Sequence, residues 1–214
     1  MKLAGFLIGY LAKLNNEKAA QCATPEQCFD EYLRLVTKTD PKQLNAAYFK
    51  SEEGYLAELV ERREITDVSS LSNRLSSTNA SPVNLKAQLL VNPVVDTEGE
   101  LYIYGGSRFK IASHSLTKDT VLAGYPLKYE HIYNAVAPKI FNKLTSADVS
   151  AIRNLYNKAA GYAVQNSITS VVFMPIKVEN KLLAAQVQKI AVDTILFRKD
   201  MNFIKKVFIS GVEL

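Results

Sequence analysis

Tryptophan is absent from this sequence, and histidine and cysteine occur only twice each. Tryptophan is strongly favoured at binding hot spots, so its absence weakens the case for a large recognition surface. The two histidines are His114, which precedes Ser115, and His131. A serine next to a histidine in sequence is not a catalytic triad, because a triad is assembled from distant positions. A surface or hydrogen-bonded structural role is therefore favoured for both histidines.

The motifs that mark common enzyme classes are also missing. The sequence has no G-x-S-x-G, no H-E-x-x-H, no Walker loop and no G-x-G-x-x-G. The segment Gly105-Gly106-Ser107-Arg108 resembles half of a phosphate loop, but no Lys-Ser or Lys-Thr helix follows it, which favours a turn. Asp96, Glu98 and Glu100 alternate across a predicted turn, which favours solvated side chains over a metal site. The sequence thus predicts no catalytic residue, no cofactor-binding residue, no cofactor and no metal ligand.

The two cysteines, Cys22 and Cys28, flank a predicted helix start. Thr24 and Gln27 form a capping box there, with Pro25 at the first helical position. The C-x5-C spacing fits neither a structural zinc site nor a C-x-x-C redox pair. Two alternatives stay open: two reduced cysteines with Cys28 buried, or a local disulfide, which would require an oxidising compartment.

An apolar run, Leu3 to Ala12, opens the chain. It is too short to span a bilayer, which requires about twenty residues, and no transmembrane segment is predicted. Its apolar side chains recur every three or four positions, which favours a first helix. A signal peptide is less favoured, because Lys13, Glu17 and Lys18 lie in the region where cleavage would have to occur. A cytoplasmic location is accordingly favoured, with export as the alternative, and the oligomeric state is left open.

The net charge of +5 is spread unevenly along the chain. Residues 1–66 are nearly neutral, and the excess lies in the remainder. A candidate basic surface follows from the C-terminal cations: Lys177, Lys181, Lys189, Arg198, Lys199, Lys205 and Lys206. A solvated outer face or a guarded sheet edge is favoured over a nucleic-acid surface, because the lysines are not interleaved with an aromatic ladder or an arginine cluster.

Hydrophobic periodicity predicts a helical first third within a single domain of residues 1–214. Helices are expected at 25–37, at 41–49 and from Ser51 onwards. The serine-rich connector 69–82 is a possible subdomain boundary between a helical part, 1–68, and a sheet-containing part, 83–214.

The next segment has the pattern of a β-hairpin. Leu85 to Val95 and Leu101 to Tyr104 flank a five-residue turn with Gly99, and Arg108 to Ala112 could begin a third strand. Pro93 cannot donate a ladder hydrogen bond, which places it at a sheet edge or a bulge.

The second half predicts helices and a second hairpin. A short helix is expected at Tyr129 to Ala137. A long helix, capped by Thr145, is expected at 145–164. Residues 167–197 are predicted to form two antiparallel strands around the turn Glu179-Asn180-Lys181, because apolar side chains alternate from Ile168 to Val178. A parity change near Gln188 and Lys189 predicts a β-bulge, and a last strand is expected near 203–212.

These elements predict an α+β fold. N-terminal short helices and one later long helix pack on a twisted antiparallel sheet built from two hairpins plus a terminal strand. The leading hypothesis is a non-enzymatic interaction or accessory protein, of a bacterial surface, secretion or mobile-element system, with another protein as its partner. The alternatives are a nucleic-acid-binding module using the basic C-terminal strands, and an enzyme using loop-borne His114 and Ser115 or His131.

Overall fold

The structure is a computed structural model that describes residues 46–114 and 116–210. Its helices are α1 Ala46–Glu61, α2 Glu100–His114, α3 Ser146–Gln165 and α4 Lys181–Leu196. Its strands are β1 Thr66–Asp67, β2 Leu75–Thr78, β3 Leu85–Val94, β4 Thr120–Ala123, β5 Tyr129–Val136, β6 Ser170–Phe173 and β7 Lys206–Ser210. Three 3₁₀ turns join them: Val68–Ser70, Pro82–Asn84 and Lys199–Phe203. The helices and strands thus alternate along much of the chain.

Within the described residues the strands form one mixed sheet of seven strands. Its order is β2-β7-β6-β3-β5-β4, and β1 pairs with the start of β3. All pairings are parallel except that of β4 with β5. The central strand β3 is buried along most of its length, as expected for a parallel strand that helices cover on both faces.

Two apolar cores lie on opposite faces of the sheet. The core beneath α3 and α4 includes Ile152, Tyr156 and Val187, packed on the central strands. The core beneath α1 and α2 includes Val60, Tyr102 and Phe109. The molecule is therefore a three-layer α/β structure, and an α+β arrangement of segregated helices and an antiparallel sheet is wrong.

Local capping fixes the starts of the two helices on the first face. Thr145 accepts the backbone N–H of Asp148, whose carboxylate in turn accepts from Thr145, which completes a capping box. Asn180 accepts the backbone N–H groups of Leu182 and Leu183 at the start of α4. The predicted long helix, its cap and the terminal strand, here β7, are confirmed.

Both predicted hairpins are wrong. The strand predicted from Leu85 is β3, but residues 101–104 and 108–112 belong to helix α2. Residues 170–173 form β6, which is parallel to its neighbours, and residues 181–196 form helix α4 instead of a returning strand. Gln188 and Lys189 lie inside that helix, so no β-bulge exists there.

Three further predictions change with the structure. Residues 129–136 form strand β5 instead of a short helix, and from Ala46 to Glu61 a single helix, α1, continues through the break expected between residue 49 and Ser51. The serine-rich connector contributes strand β2, paired with β7; the subdomain boundary there stays a prediction. The predicted helix at 25–37 and both cysteines lie outside the described residues. In the described ranges, no helix combines the length and apolarity needed to cross a bilayer.

Candidate functional site

The sheet has a topological switch point between β3 and β6. These adjacent strands are parallel, with Leu89 opposite Val171 and Val91 opposite Phe173. From β3 the chain proceeds through α2 towards β4 and β5, whereas from β6 it proceeds through α4 towards β7 on the other side. In open α/β sheets, ligands bind in the crevice outside the carboxyl ends of such strands. The candidate site is therefore the carboxyl-edge crevice, between residues 95–99 and residues 174–180.

An ion pair joins the two sides of this crevice. Nζ of Lys177, on the β6 side, lies 2.6 Å from Oδ2 of Asp96, on the β3 side. Oδ1 of Asp96 also accepts the backbone N–H of Glu98 at 3.1 Å. Both charged side chains remain partly open to solvent, so a ligand can reach them without unfolding either segment.

The electrostatics of the pair favour its charged form. Partial burial, the largest influence on Asp96, would raise its pKa, but the hydrogen bonds from Lys177 and from the Glu98 N–H, together with the charge of Lys177, hold the pKa below its usual value. The hydrogen bond to Asp96 raises the pKa of Lys177, and the charges of Asp96, Glu98 and Glu179 add to this effect. Lys177 is thus a permanent cation beside three carboxylates.

The segment that carries Lys177 is anchored to the sheet. The N–H of Met174 donates to the carbonyl of Val91 at 3.0 Å, and the hydroxyl of Tyr156 donates to the carbonyl of Met174 at 2.8 Å. Ile176 is buried in the core beneath α3 and α4. Asn180 already accepts the N–H groups of Leu182 and Leu183 at the start of α4, and Lys177 is a charged donor that this side offers to an anion.

A buried polar chain fixes the opposite side. Nδ2 of Asn92 donates to Oδ1 of Asn134 at 2.8 Å and to the hydroxyl of Tyr102 at 3.1 Å. Nδ2 of Asn134 donates to the hydroxyl of Ser113 at 2.9 Å. These bonds tie both ends of α2 to β3 and β5, since buried amides require partners. The end of α2 also approaches the crevice segment, with Nδ1 of His114 at 3.5 Å from the hydroxyl of Thr97.

Helix α2 is bent at Gly106, which has φ 82° and ψ 174°. Beyond the bend, the backbone N–H of Ser107 lies 3.1 Å from Oε1 of Glu52 in α1, and the Ser107 hydroxyl donates to the same oxygen at 2.5 Å. Glu52 therefore caps the second half of α2. Burial raises the pKa of Glu52 to about 7, although the bonds from Ser107 oppose this rise.

The two histidines lie in separate environments. His114 is the last residue of α2, whereas His131 lies within β5 and meets the ring of Tyr162 edge-on at a centroid distance of 6.2 Å. Neither residue is borne on a loop, and Ser115 lies outside the described residues. The premise that His114 and His131 lie on loops is therefore wrong, and the part of the enzyme hypothesis that uses Ser115 stays a prediction.

The candidate basic surface is not a pair of strands. Lys181 and Lys189 belong to α4, Lys177 to the crevice, and Lys206 to β7. Several of these cations have partners: Lys189 contacts Asp193 at 2.7 Å, Arg198 pairs with Asp200, and Nζ of Lys206 donates to the carbonyl of Leu71. The nucleic-acid hypothesis depends on basic C-terminal strands, and this premise is wrong.

Sequence reasoning misses Asp96 and Lys177 as a pair. By local pattern alone, Asp96 belongs to a solvated turn and Lys177 is one lysine of a basic strand. The signal that could identify the site is the mostly apolar segment Leu89 to Val95, which is typical of a parallel strand buried on both faces, with polar residues directly after it. In the part of the chain that the structure describes, no cluster of three or more histidine, cysteine or acidic residues could hold a metal ion.

The fold resembles that of macrodomains. A Trypanosoma brucei macrodomain in complex with ADP-ribose is 14% identical, with a TM-score of 0.56 over 84% of this chain and 89% of that chain. The complex of the same macrodomain with ADP is 13% identical, with the same TM-score and coverage. The macro domain of ganglioside induced differentiation associated protein 2 is 17% identical, with a TM-score of 0.54 over 69% of this chain and 89% of that chain.

Comparisons at the level of sequence find no relative. A scan against the patterns of known protein families gives no match. A search of curated proteins gives none either. The likeness to macrodomains is therefore a likeness of fold: a mixed, mostly parallel sheet with helices on both sides.

These findings correct the leading functional hypothesis. The hypothesis of a non-enzymatic interaction or accessory protein, with another protein as its main partner, rests on the absence of catalytic motifs, and the likeness of fold to macrodomains contradicts it. The fold is instead shared with domains that are seen in complex with small molecules, ADP-ribose and ADP.

Proposed function

We propose that this chain, with its macrodomain-like fold, binds an ADP-ribosyl or ADP group at the carboxyl-edge crevice, and that Lys177 contacts the diphosphate. The observation that carries the proposal is the position of Lys177. It lies at the switch point between β3 and β6, which is where α/β sheets bind nucleotides. The complexes of the Trypanosoma brucei macrodomain with ADP-ribose and ADP support this choice of ligand class.

Lys177 suits a diphosphate because an ammonium group binds phosphate as a compact point charge with three donors. In the unliganded molecule Asp96 takes one of these donors. A bound diphosphate would replace Asp96 as the partner of Lys177, so the ion pair competes directly with the ligand.

The carboxylates around Lys177 limit affinity for an anion. Asp96, Glu98 and Glu179 all act on this cation through their charges. Since each repels a phosphate, removal of Asp96 should strengthen binding, whereas removal of Lys177 should weaken it. Opposite effects from two residues that contact each other are specific to this site.

Calorimetric titration of the full chain with ADP-ribose, and separately with ADP, tests the proposal. Lys177→Met should weaken binding about tenfold or more, the expected loss for one charge-assisted hydrogen bond. Asp96→Asn should strengthen it by about threefold or more, because the competing carboxylate is removed while the side-chain shape is kept.

Lys189→Met is the matched control, because Lys189 is an exposed lysine that pairs with Asp193 within α4. It should leave both affinities unchanged. The proposal fails if neither ligand binds the wild-type chain or the Asp96→Asn variant at about 1 mM, a concentration that detects even weak sites. It also fails if Lys177→Met and Lys189→Met have equal effects.

A further inference from the structure

A cavity lies at the opposite edge of the sheet, where β3, β5 and β6 begin. Its volume is about 500 Å³, which is within the usual range for small-molecule sites. Residues from the starts of all three strands line it, among them Gln88, Lys128 and Ser170. We call it the amino-edge cavity. From Gln88 in this cavity to Asp96 in the carboxyl-edge crevice the chain runs for eight residues, about 26 Å at a rise of roughly 3.3 Å per residue.

The orientation of the Gln88 amide follows from its partners. Oε1 of Gln88 lies 2.7 Å from the backbone nitrogen of Thr169 and 3.0 Å from the Thr169 hydroxyl. A backbone N–H can only donate, so the atom facing it must be the amide oxygen. Nε2 of Gln88 therefore points elsewhere, and it has no hydrogen-bond partner among the described residues. It contributes two uncommitted donor hydrogens to a residue that lines the cavity.

Ser170 adds a third donor at the same place. It is only 3% exposed, and its hydroxyl oxygen accepts the backbone N–H of Gln88 at 3.0 Å. The hydroxyl hydrogen has no acceptor in the described part of the chain. Buried hydroxyl groups are rarely left without an acceptor, because desolvation without a hydrogen bond costs free energy. The floor of the cavity is thus a set of donors that lack an acceptor.

Two lysines supply positive charge at the rim of the cavity, and carboxylates beside them oppose it. Lys86 and Lys128 each use one donor, for Asp67 and Glu61 respectively, and keep further N–H groups. The hydrogen bond from Ser69 lowers the pKa of Asp67, so that this rim carboxylate stays ionised. Glu130 also lines the cavity. An incoming anion would therefore avoid the carboxylates at the rim and bind the donors of the floor, while Leu127 offers apolar surface to the rest of the ligand.

We infer that the amino-edge cavity binds a small organic molecule through a carboxylate or phosphate oxyanion, which accepts hydrogen bonds from Gln88 Nε2 and the Ser170 hydroxyl. This site goes beyond the proposed function, because it lies at the other end of the strands and uses none of the crevice residues.

The test uses the full chain, labelled with nitrogen-15, and three probes of similar size: phenyl phosphate, benzoate and uncharged benzyl alcohol. At least one anionic probe should shift the backbone signals of Gln88, Thr169 and Ser170, and the stronger of the two identifies the oxyanion. Benzyl alcohol should shift them far less. Shifts confined to Asp96 and Lys177, or none up to about 10 mM, would overturn the inference.

Gln88→Glu is the decisive variant. It keeps an oxygen for Thr169 but replaces the free donor with a negative charge, so binding should weaken about tenfold or more. Lys86→Gln should weaken it less and serves as the second variant if Gln88→Glu does not fold. Lys189→Met, on the distant α4, should leave the shifts unchanged. Equal binding by wild type, Gln88→Glu and Lys86→Gln would contradict the assigned geometry.

Discussion

Glu52 is the residue whose protonation state should matter most for stability. Its pKa is about 7 in the folded protein and 4.5 in an exposed chain. Between these values the folded state holds the proton that the unfolded state has released. The free energy of unfolding therefore decreases as pH rises from 4.5 to 7, and the stability that the protonated carboxyl contributes is lost above pH 7. At about 1.4 kcal/mol per pKa unit, the loss is about 3 kcal/mol.

Replacing Glu52 with glutamine should remove this dependence, because the amide cannot ionise. Urea unfolding at pH 5 and at pH 8 measures it: the wild type should lose about 2.5 kcal/mol more than Glu52→Gln between the two conditions. Glu58→Gln, which removes an exposed carboxylate from the same helix, is the control. If wild type and Glu52→Gln show the same pH dependence, Glu52 is not the titrating group.

The bend in α2 is an element-scale feature that requires glycine. Gly106 has φ 82° and ψ 174°, a region that only glycine adopts without strain. A Cβ placed there would also lie 3.0 Å from Cδ1 of Leu56 in α1. The bend thus brings α2 close to α1, and Glu52 caps the half of α2 that follows Gly106.

Gly106→Ala should lower the free energy of unfolding by about 2 kcal/mol, through backbone strain and the close contact with Leu56. Gly54→Ala is the matched control, because Gly54 lies inside α1 and a Cβ added to it would have no neighbouring atom within 4 Å. It should raise the free energy of unfolding by up to about 1 kcal/mol. Chemical denaturation of both variants measures the difference, and changes of the same sign would contradict this account of the bend.

The helices that sequence predicts well are those with local capping signals. For α3, Thr145 and Asp148 form the capping box, and the apolar stripe has helical spacing, so both its start and its buried face could be predicted. This information is contained within one segment of chain. It does not depend on where the rest of the chain lies.

Helix α4 shows how one apolar pattern can indicate two different elements. Its buried residues are Leu183, Val187, Ala191 and Ile195, which repeat every four positions. With a period of two, the apolar residues change parity between Val187, at an odd position, and Ile190 and Val192, at even ones, which suggests a β-bulge. The β-branched residues favour a strand, but burial against α3 and the sheet overrides such propensities. Asn180, predicted to lie in a turn, is the N-cap.

The topology of the whole sheet explains why the crevice could not be predicted. A switch point is a property of strand order, and strand order depends on pairings between residues far apart in sequence. Strand β6 has only four residues, buried on both faces, so its local pattern does not indicate a parallel neighbour on each side. The polar residues Asp96 and Lys177 are 81 positions apart and gain meaning only once β3 and β6 are adjacent.

The two edges of the sheet should act independently at the scale of the molecule. The variants Lys177→Met and Gln88→Glu lie at opposite ends of the strands, and distant sites without shared partners combine additively within about 0.5 kcal/mol. The effect of Lys177→Met on ADP-ribose affinity should therefore be the same, within about twofold, with and without Gln88→Glu. Titration of the double variant measures this, and a larger difference would show that the strands couple the two edges.

Pro93 limits the backbone hydrogen bonding of the central strand β3. Backbone groups alternate along a strand, and the carbonyl of Val91 faces β6, where it accepts the N–H of Met174. The nitrogen of Pro93 faces the same side but carries no hydrogen. The ladder of backbone hydrogen bonds between β3 and β6 therefore cannot continue past Pro93. Proline is expected at an edge or a bulge, yet Pro93 lies in the middle strand, where it ends the pairing of β3 with β6. The two chain segments can separate beyond it, which leaves an opening at this edge of the sheet.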